Sequence, residues 1–341
     1  MMRSTRIALV GYGNVGKAVV KLLSETDPRG KTFVFSAVAT RFFGVIDLGD
    51  SPASLVEERI AKTLSSSKSK KTAAKSGEIA SWLIDSNYDV LVELTHSDYK
   101  DAEPALTYIR ASLENGKDVV TANKGPIVLA LDELESICDR TGARLRFEST
   151  VMDGTPIFSL FREAMPSVRI KKIRGVLNST TNIVLEQLSQ GKTLKDGIEK
   201  AKSLGVAEAD PSLDLKGTDA AAKLVILANA LNHANIKMVD VSTQPLTEKT
   251  YQAAKKLETV KAQGKIKQVV VADFEKSIFR VGLESVKPDD PLYVCKGRSN
   301  IVSFSTNLFG EFTIASREPT LRETAFGVYS DLINLRKSKN S

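Results

Sequence analysis

The sequence predicts an α/β protein in two parts: a doubly wound parallel sheet, then an α+β domain. Three observations predict it. The first 150 residues alternate short apolar runs with stretches whose apolar residues recur every three or four positions. A glycine-rich turn stands directly between the first apolar run and the first helical stretch. After Pro156 the texture becomes one strand, several helical stretches and then four β runs bounded by Pro, Gly and Asn.

In order, strands are expected at RIALV (6–10), FVFSAVA (33–39), YDVLVEL (88–94), KDVVTA (117–122) and ARLRFES (143–149). Helices are expected between them at NVGKAVVKLLSE, SLVEERIAKTL, GEIASWLID, AEPALTYIRASLENG and PIVLALDELESICDRTG. Strands apolar on both faces and separated by helices imply βαβ units. In the second part a strand is expected at 168–177 and helices at 180–190, 194–204 and 218–232. Pro211 keeps GVAEADPSLD a loop, with Thr218 or Asp219 as cap of the helix that follows. IKQVVVADFE, SIFRVGLESV, NIVSFSTNL and GEFTIA complete a β region. The amphipathic stretch 320–336 needs a partner, either the first domain or a homodimer seam. The expected boundaries are residues 1–147 completed by a C-terminal helix within 316–341, and 148–315 for the second domain.

Composition narrows the function. No run approaches 18 apolar residues, so no membrane span is expected, and MMRSTRIALVG reads as a first strand rather than a signal peptide. Cys138 and Cys295 are too few for a disulfide framework, and a cytoplasmic setting is expected. With only His96 and His233 present, proton transfer would fall to lysine or carboxylate. The net charge of +7 is concentrated in SSSKSKKTAAKSG (65–77) and RKSKNS (336–341). No aromatic residues interleave with these lysines, so a solvated loop and tail are expected rather than a nucleic-acid surface.

The glycine turn, Gly11-x-Gly13-Asn14-Val15-Gly16, suits a dinucleotide. Gly11 makes the tight turn, Gly13 admits a pyrophosphate, and Gly16 permits close strand–helix packing while the helix N-terminus faces the anion. NAD would call for an acid at the end of the second strand. Thr40 and Arg41 stand there instead, and an arginine suits a 2′-phosphate, so NADP(H) is expected over NAD(H). ELTHS and TANKG end the next strands and place Thr95, His96, Thr121, Asn123 and Lys124 along the nicotinamide end.

GVAEADPSLDLKGTDAAAKL (205–224) crowds Glu208, Asp210, Asp214 and Asp219 ahead of Lys223. Asp219 and Lys223 share a helix face. Carboxylates such as Glu208 and Asp219 would neutralise a substrate ammonium, and Lys223 would carry a proton to or from the reacting oxygen. Those parts fit a dehydrogenase acting on an amino-acid-like alcohol.

Here the chain resembles homoserine dehydrogenase, in a single-function form with no C-terminal regulatory domain expected. The resemblance rests on GYGNVG, a strand ending VELT, GKDVVTANK, FESTV-x-x-GTPI, GVLNSTTNIVL, LGVAEADPSLDLKGTDAAAKLVILA and PLYVCKGRSNIV, in the family's order and spacing. It implies NAD(P)-dependent interconversion of L-homoserine and L-aspartate 4-semialdehyde, in threonine and methionine biosynthesis, by a homodimer. It also implies Lys223 as acid/base, Lys124 at the cofactor–substrate junction, and Gly205, Glu208, Asp214, Asp219 and Thr180 around the substrate. Thr95 matches a nicotinamide contact. A monovalent cation such as Na+, held by main-chain carbonyls, would lie among Glu148, Val151, Asp153 and Thr155. The chain departs from the family pattern where Met152-Asp153 replace glycines. It departs again where ASREPTLRETA replaces a Gly-rich loop before the last helix, which leaves Arg317, Arg322 or Glu323 as expected ligand contacts there.

Overall fold

The computed structural model describes residues 3–66, 76–257 and 264–338, so residues 67–75 of the lysine-rich stretch and the tail from 339 lie outside the described residues. The chain forms two compact units. Residues 1–157 with 320–341 make the first and residues 158–319 the second, so the divisions fall beyond the expected 147 and 316.

In the first unit the elements run β1 (Thr5–Val10), α1 (Asn14–Thr26), β2 (Phe33–Thr40), β3 (Gly44–Ser51), α2 (Val56–Ser66), α3 (Ser76–Asp85), β4 (Val90–Glu93), α4 (Ala105–Glu114), β5 (Asp118–Thr121), α5 (Lys124–Thr141) and β6 (Leu145–Arg146). The sheet order is β3-β2-β1-β4-β5-β6. All pairs are parallel except β2–β3, an antiparallel hairpin. Strand order reverses between β1 and β4, the switch point where open α/β sheets bind ligands. Sequence pattern does not foresee β3. Its Asp47, Gly49 and Asp50 are exposed, and only Ile46, Leu48 and Ser51 turn inward, as befits an edge. The strand expected over 143–149 shrinks to Leu145–Arg146, because Glu148–Thr150 coil into a 3₁₀ turn.

The second unit runs β7 (Ile170–Val176), α6 (Ser179–Ser189), α7 (Leu194–Ser203), α8 (Ser212–Leu215), α9 (Thr218–Asn232), β8 (Ser242–Thr243), α10 (Glu248–Leu257), β9 (Lys265–Asp273), β10 (Ile278–Val286), β11 (Asn300–Thr306) and β12 (Glu311–Ser316). Its sheet, β12-β11-β7-β9-β10-β8, is antiparallel apart from the short β8–β10 pair. Helices α6 and α9 pack on β9. The whole middle of α9, Ala220 to Ala222 and Leu224 to Asn229, is buried. The cap of α9 is neither Thr218 nor Asp219. Gly217 takes that place in a left-handed conformation with no side-chain cap, and Asp219 sits in the first turn where the helix dipole favours an anion.

The last helix, α11 (Leu321–Ser338), belongs to the first unit. Ala325, Val328, Leu332 and Leu335 enter the core that β1, β2, β4 and α1 build from Ile7, Leu9, Phe35, Val38, Val92, Val19 and Leu23. Packing on the first unit is therefore the partner this apolar face finds.

Candidate active site

Gly11 adopts φ +101, a conformation open to glycine, and a Cβ there would lie 2.5 Å from the carbonyl of Leu94. At Gly16 a Cβ would meet the Gly11 oxygen at 2.3 Å, while around Gly13 nothing stands within 4 Å. The loop is thus tight beneath and open above. Gly13 caps α1 with no side chain of its own, and Asn14, Val15 and Gly16 present first-turn amides that lack intrahelical acceptors. The residues fit a dinucleotide pyrophosphate. Arg41 is exposed on the turn between β2 and β3, its guanidinium 4.9 Å from the Phe42 ring centre, and Thr40 Oγ1 fixes that turn by accepting from the Phe42 and Phe43 amides.

Sequence reasoning misses the centre of the next cluster, Glu93. This side chain is fully buried at the end of β4. Its Oε1 accepts from the Thr95 amide at 2.8 Å and from Thr95 Oγ1, and its Oε2 accepts from Thr121 Oγ1 at 3.0 Å. Burial pushes its carboxyl above the ordinary range, while bonds from Thr95, Thr121 and Asn123 pull the other way. Asn123 donates to the carbonyls of Thr95 and His96 and accepts from the Gly125 amide, capping α5. The Lys124 amide donates to Ser97 Oγ at 3.1 Å. His96 is exposed. The available signal for Glu93 was a lone carboxylate closing an otherwise apolar strand.

In the second unit, α9 and the junction between β7 and α6 converge. Lys223 Nζ donates to the Leu177 carbonyl at 2.6 Å and pairs with Asp219 at 3.1 Å. Both side chains are about five-sixths buried, with 16% and 15% of their surface exposed. Asn178 caps α6 through Oδ1, and its Nδ2 donates to Asp214 at 2.7 Å and to Asp219 at 3.1 Å. Burial, then the charge of Asp219, raises the Asp214 carboxyl, against hydrogen bonds from Asn178 and Thr180 and the charge of Lys223. Asp214, Asp219, Lys223 and buried Thr180 are therefore brought together. Glu208 and Gly205 are exposed in the preceding loop, outside this hydrogen-bond network among the described residues. Asp210 serves as a local cap, accepting from the amide and hydroxyl of Ser212. Asn178 was not singled out from the sequence, although an asparagine between a strand and a helix is an ordinary cap.

Glu148, Val151, Asp153 and Thr155 occupy one bend of the first unit. Glu148 is buried, its Oε1 accepts from the Ile157 amide, and its own amide donates to Asp331. Met152 and Asp153 adopt φ 53 and 59, so the left-handed conformation persists without glycine, at a cost of about 1–3 kcal/mol each. Helix α11 crosses this bend at two glycines. A Cβ on Gly154 would lie 2.0 Å from the Glu323 oxygen, and one on Gly327 would lie 2.8 Å from Gly154 Cα. Among the described residues no group of three or more His, Cys, Asp or Glu side chains is placed to hold a metal ion. The segment 315–325 is not a bare loop. At the start of α11 the Glu323 carboxylate accepts from the amide and hydroxyl of Thr320, Thr320 Oγ1 accepts from the Arg322 amide, and Arg322 pairs with Glu25 at 2.7 Å. Glu323 and Arg322 are thus engaged in the fold, and Glu318 pairs with Arg298 in the second unit.

Comparison with known proteins agrees with both halves of this geometry. The homoserine dehydrogenase family profile matches residues 156–333, and the profile of the homoserine dehydrogenase NAD binding domain matches residues 11–148. An NAD(+)-dependent homoserine dehydrogenase of Pseudomonas canavaninivorans is 32% identical, over 99% of this chain and 97% of its own length. The homoserine dehydrogenase of Methanocaldococcus jannaschii is 33% identical, over 97% and 98%. A hyperthermophilic archaeal homoserine dehydrogenase solved in complex with NADPH superposes with a TM-score of 0.79 at 28% identity, covering 98% of each chain. With a dinucleotide turn in one unit and a lysine–carboxylate cluster in the other, this chain belongs to the homoserine dehydrogenase family.

Proposed function

We propose that this NAD(P)-dependent oxidoreductase interconverts L-homoserine and L-aspartate 4-semialdehyde with Lys223 as its acid/base and with NADP(H) as the preferred cofactor. The observation that carries the reading is the Lys223 ammonium, enclosed by α9 and held between the Asp219 carboxylate and the Leu177 carbonyl. An ammonium anchored this way is oriented to donate a proton to a carbonyl oxygen as it becomes a hydroxyl, and the amine so formed takes the proton back in the reverse direction. When bound, the nicotinamide supplies or accepts the hydride. Asp214 and Asp219 offer negative charge to the substrate ammonium, and Asn178 and Thr180 fix where those oxygens point. Glu208 and Gly205, in the exposed loop, are assigned to the same substrate, and Lys124 to both substrate and nicotinamide.

Gly11, Gly13, Asn14, Val15 and Gly16 hold the pyrophosphate and Thr95 the nicotinamide. Arg41 supports NADP(H) because its exposed guanidinium sits where the adenosine ribose ends in doubly wound folds. The Pseudomonas relative uses NAD(+) by name, so this preference is what direct measurement must decide. Main-chain carbonyls around Glu148, Val151, Asp153 and Thr155 are assigned to a monovalent cation, supported by a backbone kept left-handed where glycine is missing. A cytoplasmic homodimer serving threonine and methionine synthesis completes the reading. Among the described residues no helix is long and apolar enough to cross a membrane.

The test is reduction of NADP+ and of NAD+ by purified protein with L-homoserine, followed by the absorbance of the reduced nicotinamide. Faster turnover with NADP+ supports the reaction and the cofactor preference, and faster turnover with NAD+ removes the Arg41 argument. Cofactor binding with no L-homoserine oxidation would assign the second unit to another amino alcohol or semialdehyde.

A further inference from the structure

The switch-point cluster holds a carboxylate with an unusual set of partners. Among the described residues, the hydrogen bonds to Glu93 come from neutral groups: the Thr95 amide and hydroxyl, the Thr121 hydroxyl and the Asn123 side-chain amide. Among the described residues a titratable group coupled to it is Tyr108 on α4, itself buried and pushed up to about 12, first by burial and then by the charge of Glu93. A buried carboxyl bonded only by neutral donors has no cation to compensate it, so a positive charge brought near favours its ionised form and is stabilised by it in turn.

We propose that Glu93 makes the nucleotide site discriminate between the redox states of its cofactor, favouring the oxidised, positively charged nicotinamide over the reduced, neutral one. The inference rests on the reading that Thr95 contacts the nicotinamide. Thr95 Oγ1 is hydrogen-bonded to Glu93 Oε1, so a ring in contact with Thr95 lies roughly two hydrogen-bond lengths from the carboxylate, about 6 Å. At that separation a full charge in a protein interior changes affinity by roughly ten- to hundredfold. The reduced ring carries no charge and gains nothing from the carboxylate. Glu93 is thus a positioning residue for Thr95 and Asn123 and, through space, a selector of the oxidised cofactor. Because burial raises its carboxyl, ionisation becomes easier once the cationic ring is present. Binding of the oxidised form then tightens as pH rises, and binding of the reduced form does not.

The experiment is calorimetric titration of the intact protein and of Glu93→Gln with NADP+, NADPH, NAD+ and NADH. The amide oxygen of glutamine can still accept from Thr95, and its NH2 group meets Thr121 Oγ1, which must turn from donor to acceptor, so the charge is lost at the cost of one reversed hydrogen bond. The expected result is a ten- to hundredfold weaker affinity for the oxidised forms, with the reduced forms within about threefold. Equal weakening of both forms would overturn the proposal, because that is what a merely structural role produces, and so would no change in either. Should Glu93→Gln fail to fold, the wild-type protein decides alone. A ratio of oxidised to reduced affinity that climbs with pH supports the proposal, and a flat ratio overturns it. If neither form binds wild-type protein, the reading of the nucleotide site falls with it. Parallel weakening in the variant removes the proposal alone.

Discussion

At the residue scale the second unit concentrates its chemistry on one ammonium. Lys223 stands among alanines and leucines, yet its tip meets Asp219 and the Leu177 carbonyl rather than solvent. Lys223→Ala is expected to lower turnover by roughly two to four orders of magnitude, the usual range for a positioned general acid. NAD(P)+ affinity measured by titration should stay within about twofold, and retained turnover would remove the assigned role. Arg41→Ala should weaken NADP+ far more than NAD+, read as a change in the KM ratio; equal losses would show that Arg41 does not see a 2′-phosphate. Lys223, Asp219 and Asp214 were legible because they lie within ten residues and two of them share a helix face. Asn178 was not, since nothing in the spacing of NSTTN shows which carboxylates its amide reaches across 36 and 41 residues. Glu93 was missed for the same reason, with Thr121 28 residues away.

At the element scale α11 is held by a cap and by a close crossing. TLRE is a Thr-x-x-Glu capping box, readable in advance as the start of a helix even where the family's glycines are gone. Thr320→Ala should cost about 1 kcal/mol, seen as a lower denaturant midpoint with an unchanged slope. Gly327→Leu should do much more damage, since even a Cβ would stand 2.2 Å from Ser149 Oγ and 2.8 Å from Gly154 Cα. A variant that folded with wild-type stability would show that α11 can move away from the 148–155 bend. Element boundaries followed apolar periodicity wherever the periodicity was strong, as in α9, expected and found at 218–232. They failed at β3 and α10, where edge position and charge mask the pattern: β3 shows one buried face, and over 248–256 Tyr251 and Ala254 are the buried positions among exposed charged ones.

For the whole molecule, two carboxyls pull stability in opposite directions with pH. Asp89 is raised by burial but more strongly lowered by hydrogen bonds from Arg6 and by the charges of Arg6 and Arg3, ending at about 2. Its contribution is present above its unfolded value of 3.8 and is lost as pH falls toward about 2. With solvent screening the effect is on the order of 1 kcal/mol. Thermal melts should show Asp89→Asn flattening the acid limb, and an unchanged limb would assign acid unfolding elsewhere. Glu93 acts the other way: its raised carboxyl favours the fold below the unfolded value, and that advantage fades as pH climbs through the folded one. The division into two compact units was foreseen from texture alone, because a parallel sheet and an antiparallel one use different apolar patterns.

The helix α11 also sets an order of events during synthesis. The first unit takes residues 1–157 and then 320 onward, while the second is continuous from 158 to 319. On a ribosome the second unit can therefore close while the first still lacks Ala325, Val328, Leu332 and Leu335 from its core. Until those residues emerge, apolar side chains of β1, β2 and α1 stay uncovered, so the half of the chain made first is the half finished last.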